Sequence, residues 1–372
     1  MKFNEDSRVK IPTILHLMKL GYEYLPLSSA TWDTDTNIFT DIFYDSVMRI
    51  NQGLEKDEAK RLFDDIKLVL DNEDLGRTFF EKLIARSGTK LIDFENFNNN
   101  SFHVVTELTY KNGDEEFRPD IILLINGMPL VFVEVKKPNN RDGVIDERNR
   151  INKRFSNPKF RRFVNMTQFM IFSNNMPYAD GDPEPIQGAF YASSSYHKPI
   201  FNYFREEEVF NYTALLKPIS QEQELAVLKD NNLAVIHNSP EFQLNKQPER
   251  PTNSICTSLL SRERLAFVLR YALAYVNETK GIEKHIMRYP QIFATKAIAN
   301  TLDQGIKKGI IWHTQGSGKT ALAYYNVSHL TDYFQKLNIT PKFYFIVDRL
   351  DLLQQAQSEF TVRGLRVKTG SS

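Results

Sequence analysis

A single cysteine, Cys256, in 372 residues excludes an internal disulfide and any zinc site built on several thiolates. Its neighbours point to a packed thiol rather than a nucleophile. The seven histidines are scattered without metal-ligand spacing. No stretch approaches the ~18 uninterrupted apolar residues of a membrane span. The N-terminus, Met-Lys-Phe-Asn-Glu-Asp, lacks the apolar core of a signal peptide, which makes the cytoplasm the expected location. Excess charge is missing too: 47 basic against 46 acidic side chains leave a net charge of +1, which by itself argues for no polyanionic partner. No internal repeat is evident. With 41% hydrophobic and 25% charged residues the composition is ordinary for a globular chain, and the length predicts two or three domains.

What is present is most distinctive between Arg118 and Pro138. Asp120 opens the run Asp-Ile-Ile-Leu-Leu-Ile, Asn126-Gly127 supplies the residues of a tight type I′ turn, and Pro129 to Lys137 returns as a second strand. Side chains alternate along a strand, so Glu134 and Lys136 share one face, and pairing across the hairpin brings Asp120 near them. A hard cation such as Mg2+ needs oxygen ligands, which two carboxylates plus phosphate and water oxygens provide. Lys136 beside them could orient water or stabilise charge developing on a phosphate. That is the chemistry of hydrolytic phosphodiester cleavage. The plain alternative is an amphipathic hairpin with Glu134 and Lys136 as a solvent-facing pair. Against it stands the nearly unbroken apolar character of both strands, which implies burial on both faces, and buried acids and lysines are seldom decorative.

A second motif runs Ile310-Ile-Trp-His-Thr-Gln-Gly-Ser-Gly-Lys-Thr320, an expected strand entering a glycine-rich turn and then a helix over Ala321 to Leu330. It reads as a P-loop. The backbone of Thr314, Gln315, Gly316, Ser317 and Gly318 would cradle phosphates, Lys319 would reach the terminal ones, and the Thr320 hydroxyl would ligate the Mg2+ of ATP. The first glycine of the general pattern is replaced by His313. Lys342 to Arg349 is expected as another buried strand, followed by a helix over Leu350 to Phe360, which suits a further βα unit.

The tract just after the hairpin is rich in cations. Lys136, Lys137, Arg141, Arg148, Arg150, Lys153, Arg154, Lys159, Arg161 and Arg162 face Asp142, Asp146 and Glu147. Lys137, Arg141, Arg150 and Arg154 are candidates for sequence-independent phosphate contacts; a solvated charged helix is the alternative. Elsewhere, Pro12 to about Leu70 is expected to be mainly helical, with a turn over Trp32 to Asn37. The order from Leu75 is helix, strand (Phe102 to Tyr110), strand, strand, helix and strand (Thr167 to Ser173), then a loop through Gly188 and a short strand to Tyr191. Helix should resume near Glu206. Asn238 to Asn253 has the Pro, Asn, Gln and Ser content of a linker, and Arg262 to Asn277 reads as an amphipathic helix.

Taken together, Pro119-Asp120, Glu134-Val-Lys136, Trp312 to Thr320, Arg288-Tyr-Pro-Gln291, the tract Arg161 to Asn175 and Val347-Asp-Arg349 resemble the restriction subunit of type I restriction enzymes. That resemblance spans the chain from about Leu75 onward. It implies an α/β architecture: a PD-(D/E)xK endonuclease domain, with an αβββαβ core and added helices, followed by the start of a RecA-like superfamily 2 lobe. The expected divisions are 1–74 (helical extension), 75–237 (nuclease), 238–253 (linker) and 254–372 (first part of the motor lobe). The resemblance also implies double-stranded DNA as substrate, modification and specificity subunits as partners, and Gln291 contacting the adenine of ATP. Glu81 is a candidate third acid for the metal, with an exposed helical glutamate as the alternative. Two departures stand out. The Gln-x-x-x-Tyr of many such domains is absent; Arg150 and Arg154, or Ile151 and Phe155, occupy that spacing. No acidic water-activating motif follows the P-loop, and two lobes at roughly 150 to 200 residues each require several hundred further residues, so a truncated motor is expected. The rival reading is a repair or defence ATPase whose nuclease fold only binds DNA; a third is a subunit that binds ATP without hydrolysing it.

Overall fold

The computed structural model describes residues 5–138, 143–178, 187–314 and 316–369. The chain divides into two compact units, Met1–Phe267 and Val268–Ser372.

The first unit opens with a π-helical turn, Asp6–Lys10, that runs into α1 (Ile11–Lys19). Then come β1 (Glu23–Tyr24), α2 (Thr40–Ile50), α3 (Lys56–Val69) and α4 (Arg77–Leu83). On α3 the apolar positions fall at helical spacing and Ala59, Phe63 and Ile66 are buried, as the periodicity predicts. The helix starts at a reciprocal cap, in which the Glu55 amide donates to the Glu58 carboxylate at 3.0 Å. The strands follow: β2 (Phe102–Thr106), the small hairpin β3 (Tyr110–Asn112) and β4 (Glu115–Phe117), β5 (Ile121–Ile125) and β6 (Met128–Val135). After α5 (Gly143–Phe155) and α6 (Arg161–Met166) come β7 (Phe169–Ser173), β8 (Ala189–Ser193) and β9 (Asn202–Tyr203). The unit continues through α7 (Tyr212–Leu215), α8 (Gln221–Asp230), α9 (Pro240–Asn245), α10 (Pro251–Leu260) and the first part of α11 (Arg262–Tyr271).

One seven-stranded sheet organises this unit, in the order β1-β2-β5-β6-β7-β8-β9. Its centre is the predicted hairpin. Asn126 and Gly127 both have positive φ, 51° and 77°, as a type I′ turn demands. Every residue of β5 and β6 is buried, so the sheet is covered on both faces there. The turn is anchored: the Phe39 amide donates to the Gly127 carbonyl at 2.9 Å, and Asn126 bonds the backbone of Leu91 and Ser101 at 2.8 and 2.7 Å. A Cβ on Gly127 would lie 2.5 Å from the Phe39 carbonyl oxygen. Gly127→Ala should therefore lose more than about 2 kcal/mol of stability, through strain and collision together, read as a lowered urea midpoint.

Several expectations need correction. The strand expected over Phe102 to Tyr110 is two elements, because β2 ends at Thr106 and Tyr110 starts the separate β3–β4 hairpin. The largely helical N-terminal segment also supplies β1, which pairs in parallel with β2. Helix resumes at Tyr212, not near Glu206. The expected linker at 238–253 is folded. Its polar residues make caps and internal bonds: Ser239 Oγ accepts from the Phe242 amide at 3.3 Å, and Asn253 donates to the carbonyls of Asn245 and Gln247 at 3.1 and 2.8 Å. Phe242, Thr252 and Asn253 are buried. Beyond it, α10 locks onto α1 through His16 Nε2 and Thr257 Oγ1, 2.7 Å apart. Burial drives the His16 pKa down to about 3, so this contact is between neutral groups at ordinary pH. Cys256, on the same helix, is a fully buried free thiol, as expected.

In the second unit, α11 stops at Tyr271 and the expected helix gives way to a hairpin of β10 (Leu273–Glu278) and β11 (Gly281–Ile286). Then come α12 (Tyr289–Asp303), α13 (Lys319–Lys336) and α14 (Leu350–Val362). The last two match the helices expected after the glycine-rich loop and after Arg349. The strands expected before them do not form. Ile310, Trp312, Tyr344 and Ile346 are 91%, 90%, 82% and 90% exposed. A parallel strand takes its backbone partners from neighbours distant in sequence, and among the described residues of this unit the only ladder joins β10 to β11.

Candidate functional site

The β5–β6 register positions the first site. Ile121 pairs with Val133, so one step further Asp120 stands opposite Glu134, and the Val135 amide donates to Asp120 Oδ2 at 2.9 Å. Glu134 is on buried β6, 3% exposed. Lys136 lies just past the strand end, its amide bonded to the Ser173 carbonyl at 2.8 Å, which keeps its side chain on the Glu134 face. The Lys136 ammonium is 3.7 Å from Asp120 Oδ2, 3.8 Å from Glu134 Oε2 and 3.5 Å from Glu147 Oε2. The three residues expected to act together are together.

Electrostatics make this a strained cluster of charge. Burial first, then Asp120 and Glu147, push the Glu134 carboxyl well above the usual carboxylate range, only partly opposed by Lys136. Burial alone would lower the Lys136 pKa, but Asp120, Glu134, Glu147 and Glu5 outweigh it and hold the ammonium charged. Glu134 Oε1 is buried with no hydrogen-bond partner. A divalent cation fits this donor set: it would satisfy that oxygen and relieve the repulsion between two adjoining carboxylates. Among the described residues, no three acids, histidines or cysteines converge in a metal-holding group. Two carboxylates therefore leave most of a cation's coordination to other oxygens.

Two acids around this cluster escaped the sequence reading. Glu147, 1% exposed on α5, bonds Arg150 at 3.1 Å and Arg154 at 3.2 Å besides facing Lys136. In sequence it looked like one of a few acids diluting a basic tract, and only the Glu147–Arg150 spacing of one helical turn hinted at a pair. Glu5 reaches the site from the N-terminal segment: burial raises its pKa, while the Lys136 ammonium and the Lys137 amide lower it. Nothing in the local sequence marked it. Glu81 lies on α4 with its side chain exposed, 3.0 Å from Arg77.

The basic tract is not a free row of cations. Arg154 lies 3.2 Å from Glu147, 3.8 Å from Glu134 and 4.7 Å from the Phe117 ring centroid. Arg161 pairs with Glu73 at 2.8 Å, Arg162 with Asp71 at 2.6 Å and Lys159 with Glu115 at 2.9 Å. Arg150 keeps a largely exposed side chain, and Lys137 is partly buried. Arg141 lies outside the described residues.

The second site belongs to the second unit. Gly316 and Gly318 adopt positive φ, 76° and 80°, and α13 begins at Lys319. The Lys319 ammonium folds back on its own loop, donating to the carbonyls of Thr314 and His313 at 3.0 and 3.3 Å. Gln291, buried at the start of α12, donates to the Gly318 carbonyl at 3.1 Å and accepts from the Arg288 amide at 2.9 Å; Arg288 donates to the Gly316 carbonyl at 2.9 Å. The structure thus brings Gln291 to the loop. Thr320 sits in the first turn of α13, Ser317 just before it, and Gln315 lies outside the described residues.

Residues 2–182 match the family described as type I restriction enzyme R protein N terminus, and residues 284–369 match that of the type III restriction enzyme res subunit. A Methanocaldococcus jannaschii protein named as a type I restriction enzyme endonuclease subunit is 29% identical over 276 residues, 72% of this chain and 22% of its own length. A Staphylococcus aureus endonuclease subunit is 25% identical over 87% of this chain and 28% of its own. The Haemophilus influenzae HindI endonuclease subunit is 23% identical over 96% and 32%. The chain therefore spans about a fifth to a third of the length of these relatives. No helix among the described residues is long and apolar enough to cross a membrane.

Proposed function

We propose that the chain is part of a type I restriction enzyme R protein, the family that residues 2–182 match, and that its first unit is a PD-(D/E)xK endonuclease, with Asp120 and Glu134 as Mg2+ ligands and Lys136 as the cation that orients water or stabilises charge. The carrying observation is the juxtaposition of Asp120, buried Glu134 and Lys136, with Glu134 Oε1 left without a hydrogen-bond partner. Bound there, Mg2+ supplies charge neutralisation at the phosphodiester and makes water a stronger nucleophile at neutral pH. The protein's own part is positional. The β5–β6 register holds the two carboxylates side by side, and the Val135 amide fixes one Asp120 oxygen. Lys136, kept charged by its acidic neighbours, can orient water or stabilise the departing oxygen. Arg150 and Lys137 are the candidate phosphate contacts at the rim.

The glycine-rich loop of the second unit is the ATP site of a DNA translocase in this reading. Gly316 and Gly318 take the conformations a phosphate cradle needs, and Lys319 would exchange its two carbonyl acceptors for phosphate oxygens. Gln291 and Arg288 already brace the loop backbone, and this proximity supports an adenine contact by Gln291, made by exchanging one of its loop hydrogen bonds. Thr320 would ligate the Mg2+ of ATP. Double-stranded DNA, modification and specificity subunits complete the proposed assembly, in the cytoplasm.

The direct test is a Mn2+ soak of crystals of this chain, read by anomalous diffraction. A peak touching both Asp120 and Glu134, with Lys136 facing the same space, is the expected result. No peak there at high Mn2+, with the carboxylates splayed apart, would favour a fold kept only to bind DNA.

A further inference from the structure

Glu147 has no part in the reading above, yet it is the most buried acid of the cluster and the one that touches the most cations. It faces Lys136 at 3.5 Å, Arg154 at 3.2 Å and Arg150 at 3.1 Å. Arg154, in turn, spans two carboxylates, with Glu134 Oε1 3.8 Å from the same guanidinium nitrogen. That oxygen has no hydrogen-bond partner. Two cations, Lys136 and Arg154, thus lie within ion-pair range of the acids a metal would need, and each is closer to Glu147 than to those acids, while the Lys136 ammonium also donates to the Val135 carbonyl at 2.9 Å. Phe117 supports the same placement by stacking under the Arg154 guanidinium at 4.7 Å.

We propose that Glu147 is a positioning residue: a buried counter-charge that draws Lys136 and Arg154 to itself and so keeps Asp120 and Glu134 open to a divalent cation. The inference rests on the nuclease reading of that site. With Glu147 charged, Lys136 and Arg154 have a buried anionic partner besides Asp120 and Glu134. With Glu147 neutral, that partner is lost, and Arg154 competes directly for Glu134 Oε1. Glutamine at 147 preserves shape and still accepts a hydrogen bond from Arg154, so charge is the main thing lost.

The test is Mn2+ binding to the full 372-residue chain, with free ion read by electron paramagnetic resonance and cleavage not required. Glu147→Gln should raise the dissociation constant of the site by roughly 10-fold, the scale of outer-sphere effects on metal affinity. Arg154→Gln alone should tighten binding, and Glu147→Gln with Arg154→Gln should recover most of the loss. Unchanged affinity in Glu147→Gln would overturn the proposal. So would a double variant as weak as the single one, since Glu147 would then act as a ligand or as plain support. If Glu147→Gln does not fold, Arg154→Gln decides: binding no tighter than that of the parent chain refutes the competition. Asp120→Asn and Glu134→Gln separate the two levels. If neither weakens Mn2+ binding, the nuclease reading itself fails; if both do while Glu147→Gln does not, only the role of Glu147 falls.

Discussion

In the proposed enzyme, assembled with the proposed modification and specificity subunits, Lys136→Ala should lower DNA cleavage by at least roughly 10²–10³-fold, about 2.7–4 kcal/mol of lost transition-state stabilisation. DNA-stimulated ATP hydrolysis should be unaffected. The size follows from the setting. The ammonium is partly buried among Asp120, Glu134 and Glu147, where water cannot replace it and its charge acts through protein rather than solvent. Alanine also leaves Asp120, Glu134 and Glu147 with one fewer cation, so a metal should bind no more weakly, and Mn2+ affinity measured in parallel separates lost catalysis from lost metal. Cleavage by the Lys136 variant at the parent rate would end the assignment of this site.

Lys319→Ala should remove ATP hydrolysis by a comparable factor, roughly 10²–10³-fold or more, because a lysine clamp on transferring phosphate acts where charge develops. Long-range cleavage, which in the proposed enzyme depends on translocation, should fall with it, while Mn2+ binding at Asp120 and Glu134 stays at its parent value. In the structure Lys319 spends its ammonium on the Thr314 and His313 carbonyls. The alanine variant therefore loses two internal hydrogen bonds as well, and thermal denaturation should accompany the assay. ATPase at the parent level in a folded Lys319 variant would overturn the nucleotide reading of the loop.

The two motifs were legible because their signals are local. Asn126-Gly127 requires positive φ at two adjacent residues, and once the turn is set, alternation places Glu134 and Lys136 on one face and the register places Asp120 opposite. The positive φ of Gly316 and Gly318 and the helix starting at Lys319 are equally local consequences of Gly-Ser-Gly-Lys-Thr. The stretch 238–253 misled because polar composition cannot distinguish groups spent on caps and buried bonds from groups left to water. The strands expected from Ile310 into the glycine-rich turn and over Lys342 to Arg349 misled for the opposite reason: apolar sequence states a demand for neighbours and does not supply them.

From the sequence alone came the hairpin, the acid-acid-lysine set and the glycine-rich loop, all of which depend on residues a few positions apart. Tertiary structure alone decided the company they keep. Glu5 reaches the site from more than a hundred residues upstream, and Glu147 turns inward to hold Lys136 and Arg154. Arg161 and Arg162, which in sequence belong to one basic tract, meet acids 88 and 91 positions away. Periodicity and turn chemistry act along the chain, whereas the partner of a charge is chosen by packing, which brings together residues that no local pattern connects.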